Sequence, residues 1–159
     1  MTSLLSRRQV LTTGVAATTM GPFSLRAASA ATARTLTATT RTLDVNGKAA
    51  RVFGLIGPGG ASGLTLAPGE AFRVDLVNTI DEPTLIHWHG QLPPWLQDGF
   101  PWPQMPALPA GTTRSYDYQP ISGTHWMHSH HGLQEQSLMT APLIVHSAAD
   151  LREDRQEVV

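Results

Sequence analysis

The sequence predicts an all-β domain, a β-sandwich or small barrel of seven or eight short strands. Three observations predict it. No segment shows helical periodicity. Apolar residues alternate with polar ones at period two, most clearly where Phe72, Val74 and Leu76 interleave with Arg73 and Asp75. Glycine and proline, 14 and 12 of 159 residues, punctuate the chain at short intervals. A hydrophobic share of 41% is sufficient for a core.

The elements follow in order. Residues 35–45 are rich in threonine with scattered apolar positions, and 49–56 return as a second strand. Asn46-Gly47 between them is a strong two-residue hairpin signal. Gly57-Pro58-Gly59-Gly60 is a loop, and Leu64 and Leu66 begin a short strand that Ala67-Pro68-Gly69-Glu70 turns. The alternating strand at 72–76 comes next, then a turn over 78–83 and a strand over 84–89. Residues 91–109 hold six prolines and cannot lie within a sheet, so they form a long excursion of the kind that often carries function. Trp95 and Trp102 in it are expected to pack against the core. Strands resume at 112–118, 124–130 and 138–146.

Both termini differ in character from this body. Ser6-Arg7-Arg8-Gln9-Val10-Leu11 is a twin-arginine export signature, followed by a weakly apolar stretch and Ala28-Ser29-Ala30, a small-x-small cleavage site. Residues 1–30 therefore read as a twin-arginine signal peptide. Its apolar stretch is too short to span a membrane. From Ser147 the composition turns to charge, and 148–159 read as a linker.

Composition excludes several chemistries. Eleven Lys and Arg against 12 Asp and Glu give a net charge of −1, without the basic excess of a nucleic-acid binder. With no cysteine there is no disulfide, thiolate zinc site, iron–sulfur cluster or cysteine nucleophile. A blue-copper centre is excluded for the same reason, since it needs a thiolate ligand.

Histidine carries the chemistry. Two His-x-His pairs, His87-Trp88-His89 and His128-Ser129-His130, fall on expected strands. Random placement of seven histidines gives about 0.3 such pairs, so two are an excess. On a strand, residues i and i+2 face one side, about 6.5–7 Å apart, and partners on a neighbouring strand lie about 5 Å away. Adjacent strands would bring four imidazoles to one patch, wide enough for more than one ion of copper, zinc, iron or nickel. Trp88 and Ser129 would point the other way. His125, His131 and His146 are read as structural or exposed.

These motifs resemble a known family. His87-Trp-His-Gly90, Asp98-Gly-Phe-Pro101, Pro109-Ala-Gly111 before a Tyr-x-Tyr strand, Gly123-Thr-His-Trp-Met-His-Ser-His130 and the stretch 138–145 are similar to the N-terminal domain of multicopper oxidases. The nearest likeness is to the laccase-like and copper-resistance members exported by bacteria. It covers 48–146 and departs at His125, where the family usually has an aromatic residue. The resemblance implies a Greek-key cupredoxin (plastocyanin-like) β-sandwich over 31–147, with 148–159 leading into a second domain.

It also implies roles. In the family a trinuclear copper cluster lies between the first and last cupredoxin domains and takes eight histidines. Carried over, His87 would bind the type 2 copper, His89 and His128 one type 3 copper, and His130 the other. Asp98 would stand where a carboxylate passes protons to reduced oxygen; as a residue before glycine it also suits a plain turn. The family's remaining histidine motifs and its type 1 cysteine are not in this sequence. The expectation is therefore an N-terminal piece of a longer oxidase. Its partners would be C-terminal cupredoxin domains, O2, and a small phenolic or Cu(I) substrate, with no nucleic acid and no membrane span. Its location would be periplasmic or secreted. The alternative is a stand-alone exported copper-binding module without oxidase turnover. Two weaker rivals are a cupin dioxygenase, because His128-Ser129-His130 is followed by Glu135, and a zinc hydrolase, for which no catalytic motif is present.

Overall fold

Asn46 and Gly47 both take positive φ, 53° and 77°, as a tight hairpin turn requires. They fold β1 (Arg34–Val45) back onto β2 (Lys48–Ile56), and the antiparallel register runs from Val45 opposite Lys48 to Thr37 opposite Ile56. The structure is a computed structural model in which residues 32–150 are described. The expected signal peptide, residues 1–30, and residues 151–159 of the expected linker lie outside the described residues.

Six further strands follow: β3 (Leu64–Leu66), β4 (Phe72–Asn78), β5 (Ile86–His89), β6 (Thr113–Tyr118), β7 (Gly123–Ser129) and β8 (Thr140–Val145). They form two four-stranded sheets, ordered β2-β1-β4-β6 and β3-β8-β7-β5. Only β1–β2 and β7–β8 are consecutive strands within one sheet; every other connection crosses between sheets. This is the Greek-key sandwich, not a closed barrel.

Period-two alternation decides what fills the interior. Phe72, Val74 and Leu76 from one sheet are fully buried, and so are Trp88, Met127 and Leu143 from the other. Phe72 stacks on Tyr118 with centroids 4.6 Å apart and packs on Trp88 at 4.8 Å. Because Trp88 and Met127 face inward, the residues on either side of them in β5 and β7 face outward. His87, His89, Trp126 and His128 therefore share the outer face of the second sheet.

Three expectations shift. The strand expected over 84–89 begins only at Ile86; ahead of it Thr84 forms an isolated bridge with Leu108, and the Leu85 carbonyl accepts the His130 N–H at 2.8 Å. The strand expected from Leu138 begins at Thr140, because Leu138 takes a φ of 67° that ends extended structure. Trp95 and Trp102 are not packed into the core: they are 52% and 45% exposed. The proline-rich segment cannot join a sheet, so it runs outside the sandwich and keeps its indoles there.

That segment is nonetheless anchored. Its one turn of 3-10 helix, Trp95–Gln97, ends where the Gln97 carbonyl accepts the Trp88 indole N–H at 2.8 Å. The Gln97 side chain accepts the Asp117 N–H at 2.7 Å, which ties the turn to β6.

Candidate metal centre

Strand register brings the two histidine motifs together. β5 pairs with β7 so that His87 lies directly opposite His128 and His89 opposite Trp126. His130 stands one residue beyond β7, and its N–H bond to Leu85 keeps it beside β5. The four rings converge: centroids of His87 lie 5.7, 5.6 and 5.1 Å from those of His89, His128 and His130. His128 lies 5.4 Å from His89 and 4.8 Å from His130. Potential ligand nitrogens of His87, His128 and His130 all lie within 4.8 Å of one another.

The outer partners of the rings decide which nitrogens face the centre. His87 Nδ1 donates to the Asp98 main-chain oxygen at 2.9 Å, with the Asp98 carboxylate at 3.4 Å, so Nε2 is left free. His128 Nδ1 donates to Glu135 Oε2 at 3.1 Å, so its Nε2 also turns inward. There it meets His89 Nδ1 at 3.3 Å. Two nitrogens bound to one ion at about 2 Å each lie roughly 2.8–3.5 Å apart, so this pair is spaced as ligands of a common ion.

Asp98 reaches His87 because the next residue is glycine. Gly99 has a φ of 73°, and a Cβ there would overlap the Ile86 carbonyl oxygen and crowd the His87 Cα. The loop can lie flat on β5 only without that atom.

At His128 and His130 the surroundings favour the neutral imidazole. Burial lowers the His128 pKa below the ordinary histidine value, opposed by Glu135 and assisted by His87 and His89. Burial lowers His130 as well, with His128 and His87 adding to the effect. A neutral imidazole keeps the lone pair that a metal needs.

Aromatic residues rim the cluster. Trp126 stacks on His128 with centroids 4.0 Å apart and planes 11° from parallel, and lies 5.2 Å from His89. Phe100 packs on His130 at 5.2 Å and on Trp102 at 5.1 Å. Trp126, Phe100 and Trp102 are 37%, 38% and 45% exposed, so the rim is an apolar surface around a cluster open on one side.

His125 points to the opposite face of β7 and donates Nε2–H to the Ile121 carbonyl at 3.0 Å, a structural contact. The cupin-like reading of Glu135 fails on geometry: its carboxylate holds the outer nitrogen of His128, on the far side from His89. Sequence reasoning missed Gln134 altogether. Its amide is buried, accepts from Thr84 and Ser129 hydroxyls at 2.7 and 2.8 Å, and donates to Glu82 and the Pro83 carbonyl at 2.9 and 2.8 Å. It thereby clamps the approach to β5 onto the end of β7. The only hint in the sequence is a glutamine a few residues past the second motif.

Among the described residues, no helix is long and apolar enough to cross a membrane. Residues 37–150 match the sequence profile of the multicopper oxidase family. Copper resistance protein A of Escherichia coli is 35% identical over 98 residues, which are 57% of this chain and 16% of that protein. Laccase-1 of Cryptococcus neoformans var. neoformans is 36% identical over 83 residues, 50% of this chain and 13% of the relative. The crystal structure of a variant of the McoA multicopper oxidase from Aquifex aeolicus superposes with a TM-score of 0.66 at 28% identity, over 77% of this chain and 28% of that one. The multicopper oxidase of Pseudomonas thermotolerans gives a TM-score of 0.64 at 29% identity, over 71% and 29% of the two chains. The chain thus spans less than a third of the length of these relatives. Copper is the family's cofactor, and an all-imidazole set with paired nitrogens suits it, although four histidines make an incomplete site. A two-sheet cupredoxin sandwich, the paired His-x-His motifs on its outer face and the profile match over most of the described chain lead to one conclusion: this chain belongs to the multicopper oxidase family.

Proposed function

We propose that this domain supplies four ligands to a trinuclear copper cluster that serves the four-electron reduction of O2 to water. In this reading His87 holds the type 2 copper, His89 and His128 hold one type 3 copper, and His130 holds the other. The observation that carries it is the facing pair of His89 Nδ1 and His128 Nε2, 3.3 Å apart at the centre of four converging rings. Bound copper supplies stepwise electron transfer to oxygen. The protein's own contribution is to fix the rings, hold His128 and His130 neutral by burial and deliver protons.

Asp98 fits the last task. Its main-chain oxygen, at 2.9 Å, is the nearer acceptor for His87, which leaves the carboxylate at 3.4 Å to take up and release protons. The apolar rim of Phe100, Trp102 and Trp126 fits a covering C-terminal cupredoxin domain that brings the remaining histidines and the type 1 centre. That centre, held by the other domain, would supply the electron-accepting chemistry toward a small phenol or Cu(I). Arg7-Arg8 with Ala28-Ser29-Ala30 supports export by the twin-arginine route to the periplasm or beyond.

The test is copper binding by the purified full chain, followed by metal stoichiometry and paramagnetic resonance. Copper should bind through nitrogen ligands and be lost in His87→Ala and His128→Ala. Asp98→Asn should keep its copper while slowing oxygen reduction in the multidomain oxidase. Histidine variants that load copper as the parent does overturn the ligand assignment.

A further inference from the structure

Glu135 lies outside the four-histidine cluster, on the far side of His128, and the geometry points to a specific task for it. We propose that Glu135 is the positioning residue that sets the tautomer of His128, and through it the ligand atoms of both His128 and His89. The proposal rests on the copper reading above and deepens it.

A carboxylate can only accept, so the 3.1 Å contact requires the His128 proton on Nδ1. Nε2 then carries the lone pair. Since Nε2 lies 3.3 Å from His89 Nδ1, the metal-free chain places the His89 proton on Nδ1, donating to His128. An ion bound between the facing nitrogens would take both as ligands, with the His89 proton then on Nε2. If His128 instead held its proton on Nε2, that proton would fill the space an ion needs. Glu135 removes this option.

The backbone that carries the carboxylate is anchored on both sides. Gln134, the preceding residue, is clamped by four side-chain hydrogen bonds to Thr84, Ser129, Glu82 and Pro83. On the following side, the Glu135 carbonyl accepts the Leu138 N–H at 2.9 Å. The His128 ring is fixed by Trp126 stacked on its face. Glu135 itself is 40% exposed along its side chain, so it supports little of the core. A ligand histidine whose outer nitrogen is held by a carboxylate is oriented and made more basic, and loss of such a partner typically lowers metal affinity tenfold to a hundredfold.

The experiment compares the full chain with Glu135→Ala and Glu135→Gln. Long-range proton–nitrogen spectra of the metal-free chains report the His128 tautomer, and Cu(II) titration against a competing chelator reports affinity. The parent should show a single Nδ1–H form at His128. Glu135→Ala should show both forms and bind Cu(II) roughly tenfold to a hundredfold more weakly. Glu135→Gln offers both an acceptor oxygen and an NH2 donor to Nδ1, so it should leave both tautomers accessible and recover only part of the affinity. Loss of a merely structural residue would not change the tautomer in a chain that still melts normally. A Glu135→Ala chain whose His128 stays wholly Nδ1–H overturns the proposal. If the parent binds no Cu(II), the copper reading fails, while the metal-free spectra still decide the role of Glu135.

Discussion

Replacing Gln134 by alanine should damage the fold more than any exposed loop substitution. The amide makes four hydrogen bonds and is 2% exposed. Two of its partners, the Thr84 and Ser129 hydroxyls, are themselves 0% and 3% exposed and would lose their acceptor. The Pro83 carbonyl would lose its side-chain donor, while the Glu82 carboxylate can turn to water. An orphaned buried polar group costs about 1–3 kcal/mol, and water entering the vacated space recovers part of that. Two orphaned hydroxyls therefore give a loss of about 2–4 kcal/mol, a large part of the ~5–15 kcal/mol that holds a typical domain together. In a chain of this size that is a fall of roughly 6–12 °C in melting temperature. Urea denaturation of the parent, Gln134→Ala and the exposed neighbour Gln136→Ala measures it. The neighbour should stay within about 0.5 kcal/mol of the parent. A Gln134→Ala loss below about 1 kcal/mol would refute the view that this amide clamps β5 to β7.

Two further outcomes follow from local geometry. Gly99→Ala should cost about 2–4 kcal/mol, from its positive φ and the overlap with the Ile86 carbonyl, and it should weaken copper binding because the Asp98 oxygen leaves His87. Gly59→Ala has a similar φ but open space around it, so it should cost only about 1 kcal/mol and leave metal titrations unchanged. Glu70 gives a pH dependence. The Arg34 guanidinium, bonded to Glu70 at 2.7 Å, holds the carboxyl below its usual value, assisted by the Ala67 N–H. A carboxyl depressed in the folded state adds stability above its unfolded value, and this is lost as pH falls through the folded one. Glu70→Gln should thus cost up to about 1 kcal/mol at neutral pH, since the pair is partly solvated, with the gap closing in acid denaturation curves. An equal gap at both pH values would remove Glu70 from the account.

The sequence by itself determines the local rules of this molecule. Alternation at Phe72, Val74 and Leu76 assigns faces to a strand, Asn46-Gly47 closes a hairpin, and the spacing in each His-x-His pair puts both rings on one side, because these are properties of adjacent residues. Only the tertiary structure decides that His87 lies opposite His128, since register depends on how β5 and β7 dock across a long loop. It alone selects the nitrogen each ring presents, through acceptors at Asp98 and Glu135 that lie 11 and 7 residues away from their histidines. Trp95 and Trp102 show the same limit from the other side. Hydrophobicity assigns them to the core, but a proline-rich segment excluded from the sheets leaves them half exposed outside it, Trp102 against Phe100. Gln134 has no period or motif to mark it, because its partners come together only when the two histidine strands have already paired.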